Sequence, residues 1–156
     1  MQIALDFDAS GHSIRSCGPG QVTVILPRGS REEGPEAMDA VGPDASRVRQ
    51  EILRRSVVVT PGALWRDWPP QRFEELRAEH LAALLRLEPR PEVVLLGCGG
   101  RLRWPAPEVL APLVEAGVGH ELMDTPAACR TYNILMADGR RVAAALLMVE
   151  ERGPRS

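Results

Sequence analysis

Apolar residues along this chain alternate with polar ones in some stretches, run together in others, and recur at helical spacing in a third kind. A short strand is expected around Ser13 to Ser16, and Gly18-Pro19-Gly20 marks a turn after it. Gln21-Val22-Thr23-Val24-Ile25-Leu26 then carries the β-branched residues of a strand. A strand-like pattern resumes from Glu51 to Thr60 and ends in Ser56-Val57-Val58-Val59-Thr60, stopped by Pro61-Gly62. Between these two, Arg28 to Ser46 reads RGSREEGPEAMDAVGPDAS, too poor in large apolar groups to offset its ordering entropy. Both flanks are strand-like, so a mobile insertion at a hairpin tip is expected there.

Leu64 to Pro70 contains Trp65, Trp68 and two prolines, and reads as a loop pinned by an indole. From Gln71 to Leu87 the period is helical: Leu81, Leu84 and Leu85 fall at i, i+3 and i+4, with Phe73 and Leu76 earlier, and Pro89 and Pro91 end the run. The pattern is clearest beyond this point. Val93-Val94-Leu95-Leu96-Gly97 is a continuous apolar strand, and Pro107 to Ala116 a short helix closed by Gly117. Val118 to Met123 is a weaker strand. Thr125-Pro126 supplies an N-cap and a first-turn proline for a last helix that Gly139 stops, and Arg141 to Val149 finishes as a strand. Strand–helix–strand–helix–strand implies crossover connections, and strands apolar on both faces must be covered on both. The expectation is one α/β domain over residues 1–156, three-layered around a central mixed sheet. It has an amino-terminal β-hairpin unit, a β-α-β-α-β carboxy-terminal half and a loose tail over residues 151–156.

Composition narrows the class. At 156 residues with 44% apolar content, one core is affordable, since a fold of this size buries roughly 70% of its unfolded surface. No run approaches the ~18 apolar residues of a membrane span. Acids near Met1 stand where a secretory signal would carry bases, so a cytoplasmic chain is expected. Net charge is −2, and all 19 basic residues are arginine because lysine is absent. That bias looks compositional, and nucleic-acid binding is disfavoured. Cys17, Cys98 and Cys129 are too widely spaced for a zinc motif, so reduced thiols are expected, with neither metal nor cofactor.

The last helix, from the Thr125-Pro126 start to the Gly139 stop, is apolar almost all round. Ala127, Thr131, Ile134 and Leu135 mark one face, and Cys129, Tyr132, Asn133 and Met136 the other. Such a helix is buried, or covered by a partner. Cys129 sits in its first turns beside Arg130, where thiolate is favoured, and His120 on the preceding strand is a candidate base. The plainer reading, a small buried thiol with no orienting third group, takes precedence. Gly97-Cys98-Gly99-Gly100 follows a strand as a phosphate-gripping turn would, but it lacks the P-loop lysine and the third glycine of G-x-G-x-x-G. Arg101, Arg103, Arg130, Arg140 and Arg141 are candidates for one anion surface, though scattered solvated guanidiniums explain them more simply.

From Ser56 onward the sequence resembles the Mth-like domain family of unknown activity. The resemblance is carried by Ser56-Val57-Val58-Val59-Thr60-Pro61, Trp68-Pro69, Glu92 to Gly99 and Arg101-Leu102-Arg103-Trp104-Pro105. It is most specific in Met123-Asp124-Thr125-Pro126-Ala127-Ala128-Cys129-Arg130-Thr131-Tyr132-Asn133-Ile134-Leu135 and in Gly139 to Leu146. Cys98 replaces the family's usual threonine, and Arg28 to Ser46 is longer than its usual tight hairpin. The resemblance implies a three-layer fold and, through a member that assists mitochondrial complex I assembly, action by protein contact. The first expectation is therefore a non-catalytic binding or assembly module docking through Cys129 to Met136 and neighbouring strand ends, a homodimer being compatible with it. The second is an enzyme or carrier for a small anionic ligand, using the Gly97-to-Arg103 turn and Cys129. The candidate binding residues are Asp124, Thr125, Cys129, Arg130, Tyr132, Asn133, Gly97, Gly99 and Arg101.

Overall fold

In the computed structural model, which describes residues 11–27 and 49–151, the amino-terminal strands form a small antiparallel sheet. Strands β1 (Ser13–Gly18), β2 (Gln21–Ile25) and β3 (Gln50–Leu53) lie in the order β1-β2-β3. Val22 faces Leu53 and Ile25 faces Gln50, so the two flanks of the expected insertion pair as a hairpin. The insertion itself lies outside the described residues, as does the tail beyond residue 151. The strand expected from Glu51 to Thr60 is in fact two. Exposed Arg54 and Arg55 interrupt it, and β4 (Val57–Thr60) crosses into a second sheet.

That sheet has five strands in the order β5-β4-β8-β6-β7, comprising β5 (Ala63–Trp65), β6 (Val93–Cys98), β7 (Gly119–Met123) and β8 (Val142–Leu147). It is mixed: β6 runs parallel to β7 and β8, whereas β4 runs antiparallel to β5 and β8. Two crossover helices connect the parallel strands, α2 (Pro107–Glu115) between β6 and β7 and α3 (Thr125–Ala137) between β7 and β8. The chain steps outward from β6 to the edge and then back over β6 to β8. Crossovers of one hand that step in opposite directions place their helices on opposite faces. Leu113 of α2 accordingly packs in one core, and Ala128, Cys129, Tyr132 and Met136 of α3 pack in the other.

Strand alternation feeds both cores. Val142, Ala144 and Leu146 join Val57, Val59 and Leu95 beneath α3, while Ala143, Ala145 and Leu147 join Val58, Val94 and Leu96 on the α2 side. All six β8 residues are buried, as a central strand covered on both faces requires. The small alanines of β8 share their cores with the two largest buried side chains, Ala144 with Tyr132 on one face and Ala143 and Ala145 with Trp68 on the other. Trp68 is the indole that pins its loop. Its Nε1 donates to the His80 carbonyl at 3.3 Å, and the two rings meet edge to face.

Three sequence expectations need correction. Trp65 belongs to strand β5, an edge strand within the expected loop. The single helix expected over Gln71 to Leu87 is a 3-10 turn at Phe73–Glu75, then α1 (Ala78–Ala82), then a second 3-10 turn at Ala83–Arg86. The break falls at Arg77, whose backbone is extended, whose N–H donates to His80 Nδ1 and whose guanidinium donates to the Glu74 and Leu76 carbonyls. Those local bonds satisfy the polar groups that a continuous helix would have paired. Finally, the N-cap of α3 is Asp124, whose carboxylate accepts from the Ala127 N–H at 2.8 Å, while Thr125 is already helical. The Thr125 hydroxyl is engaged elsewhere.

Candidate functional site

The start of α3 meets the carboxyl ends of β6 and β8, the place where open α/β sheets commonly receive ligands. Here the chain occupies that place itself. Thr125 is fully buried; its hydroxyl donates to the Leu147 carbonyl at 2.6 Å and accepts from the Gly99 N–H at 2.9 Å. The Thr125 N–H returns to the Gly99 carbonyl at 2.8 Å. One side chain therefore ties three elements together. Gly97 is glycine because a Cβ would lie 2.9 Å from the Thr125 Oγ1, and Gly99 has a φ of +97° that disfavours any side chain. The Gly100 N–H donates to Glu150 Oε2 at 3.0 Å. A phosphate-gripping turn needs free amides, and those of Gly99 and Gly100 are spent on a hydroxyl and a carboxylate. Cys98, at the end of β6, directs its thiol to the Leu96 and Arg103 carbonyls, and burial raises its pKa.

About two turns further along, α3 presents its inner face to β1. Asn133 clamps the backbone of Ile14 at two points: Nδ2 donates to the Ile14 carbonyl at 2.6 Å, and Oδ1 accepts from the Ile14 N–H at 2.8 Å. The amide thus pairs with β1 much as a neighbouring strand would. The Tyr132 hydroxyl donates to the His12 carbonyl at 2.7 Å, and burial pushes its pKa well up. Cys129 is buried, and its thiol is pushed strongly upward by the hydrogen bond with Cys17 and by burial. The inner face of the helix is buried as expected, and the layer that covers it on the side away from the central sheet is the chain's own small sheet. A stripe remains in solvent, with Arg130 and Ile134 exposed, Ile134 to 68%.

The other sequence candidates do not assemble into a reactive site. His120 is the second residue of β7, opposite Val94 and toward the end of that strand remote from α3, so it is no base for Cys129. Arg140 and Arg141 precede β8, where Arg140 pairs with Glu92 at 2.7 Å, at the opposite end of the parallel strands from Arg101 and Arg103. Arg103 lies over the Phe73 ring and bonds Glu74 at 2.6 Å. Arg101 is exposed. The five arginines form no single surface. Two features escaped the sequence reading: the approach of Cys17 to Cys129, which only the fold creates, and Trp104, 75% exposed in the loop after β6. The exposure of Trp104 has one sequence cue, its flanking by Arg103 and Pro105 outside any apolar run.

A mixed sheet with opposed crossover helices, an appended three-stranded sheet and a stapled glycine turn defines a small α/β domain whose strand-end crevice is filled by its own side chains. Residues 38–147 match the family described as "Protein of unknown function (DUF498/DUF598)", and the chain belongs to that family. It is 34% identical to a crystal structure of a Bordetella parapertussis protein, with a TM-score of 0.68 over 89% of this chain and 97% of that one. It is 29% identical to the solution structure of a Bordetella pertussis protein described as a Mth938-like domain, with a TM-score of 0.64 over 92% of this chain and 89% of that one. The resemblance read from the motifs is thereby established. Among curated proteins it is 31% identical over 116 residues to the human NADH dehydrogenase [ubiquinone] 1 alpha subcomplex assembly factor 3, covering 72% of this chain and 63% of that protein. The chain spans about half the length of the curated relatives it matches. No helix among the described residues is long and apolar enough to cross a membrane.

Proposed function

We propose that this chain is a non-catalytic protein-binding module of the assembly-factor kind, docking a protein partner through the outer stripe of α3 and the adjoining strand ends. The observation that carries this reading is the exposed Arg130–Ile134 stripe, one helical turn apart, on a helix whose opposite face, with Ala128, Cys129, Tyr132 and Met136, is buried against the chain's own sheets. The naming of the relatives as complex I assembly factors supports it by analogy. Cys129 and Tyr132 act behind that stripe by holding the helix in place, and Arg130 and Ile134 make the contact. A second copy of the chain is compatible with the same surface, and the cytoplasm is its proposed site of action.

Quantitative affinity capture from the source cell tests this, comparing the wild-type chain with Ile134→Asp and Arg130→Glu. Both positions are exposed, so both variants should keep the wild-type thermal midpoint. The expected result is a defined partner captured by the wild type and depleted at least about tenfold by either variant, a contact of ordinary interface strength. Undiminished capture of every partner by both folded variants would overturn the reading.

A further inference from the structure

A bulge decides which side chain of β1 reaches α3. Ile14 lies opposite Val24, Arg15 is the extra residue, and Ser16 and Cys17 lie opposite Thr23 and Val22. In an unbulged strand, residues two apart share a face, so Ser16 would accompany Ile14. The extra residue shifts that parity, and Cys17 accompanies Ile14 on the side of the fully buried Val22 and Val24. On α3, Asn133 fixes Ile14, and Cys129 lies one turn, about 6 Å, earlier on the same face. Cys17 and Cys129 line one surface pocket of about 130 Å³ together with Pro126 and Arg130. Cys129 is buried behind it, and Cys17 is only partly buried.

We propose that Cys17 and Cys129 are an oxidisable pair that closes a disulfide between β1 and α3 and locks the small sheet onto the helix. Cys17 reacts first. It is the more accessible thiol, and its hydrogen bond with Cys129 lowers its pKa, whereas Cys129 is held protonated. With a small-molecule disulfide such as oxidised glutathione, the Cys17 thiolate attacks one sulfur and the oxidant's S–S bond breaks. One glutathione thiolate leaves and takes up a proton. Cys129 then gives its proton to solvent and attacks the Cys17 Sγ, forming the protein disulfide and expelling the second glutathione as thiolate. Two protein thiols are oxidised by two electrons, and one glutathione disulfide is reduced to two thiols. Cys98 stays out of the exchange, because it packs in the core on the other face of the sheet.

The test equilibrates the purified full chain across a series of reduced and oxidised glutathione mixtures, read by intact mass and peptide mapping. The expected product has lost two hydrogens and yields one linked peptide joining Cys17 to Cys129. Its thermal midpoint rises by roughly 5–15 °C over the reduced chain, because the bridge closes a long loop. Cys98→Ser keeps both effects, and Cys17→Ser, at a partly buried position, abolishes both while remaining folded. A glutathione adduct that persists on Cys17 without a bridge, a linked peptide containing Cys98, or three free thiols throughout the series would each overturn the proposal.

Discussion

Thr125 shows how much one hydroxyl can organise. It donates to the end of β8, accepts from the end of β6, and begins α3, all within a fully buried position. Thr125→Val keeps the shape but strands the Leu147 carbonyl and the Gly99 N–H without partners. Each such group costs about 1–3 kcal/mol, so a loss of roughly 2–5 kcal/mol in denaturant-unfolding stability is expected. Thr125→Ser should retain most of it. Equal stability of the Val and Ser variants would show that the hydroxyl is not the tie described here. The role of Thr125 was only half legible in the sequence. A Thr-Pro pair before an apolar helix marks a helix start, but Asp124 is an equally good cap, and which of the two caps depends on what the other can reach. Gly99 and Leu147 settle that competition, and both are distant in sequence.

Among the elements, α3 is the one from which most of the fold was readable. Its apolar surface all round implied cover on both flanks, and the glycine at position 139, with a φ of +78°, ended it as expected. What the pattern could not show was that the covering layer is β1, because that contact depends on the Asn133 amide meeting the Ile14 backbone. Asn133→Ala removes both bonds and leaves a part-buried N–H and carbonyl unpaired, at a cost of about 1–3 kcal/mol. Native-state hydrogen exchange locates the loss: amides of β1 and β2 should exchange faster, with β6 and β8 little changed. A uniform acceleration across both sheets would mean that the clamp does not join them. The segment from Gln71 to Leu87 departs from its pattern for the opposite reason. Its leucine spacing fits a helix, yet Arg77 and His80 supply local hydrogen bonds that divide it, and periodicity does not register such bonds.

At the scale of the whole molecule, the parallel half followed from punctuation by proline and glycine and from strands apolar on both faces. The opposed positions of α2 and α3 follow in turn from crossover handedness. The candidate chemistry was legible only as residue types. Glycines after a strand and a cysteine in a first helical turn suit a ligand site equally well on paper, and the fold decides by filling the crevice with Thr125 and Glu150 and by burying Cys129. The central claim is that the inner residues of α3 are structural and enclosed, leaving the outer stripe for contact. Alkylation of Cys129 in the reduced, folded chain at neutral pH tests it most directly. The expected result is labelling of Cys129 only as fast as the protein opens, well behind the more accessible Cys17. Rapid labelling of Cys129 in the folded chain, at a rate near that of a free thiol, would contradict it and would point to an open cleft instead.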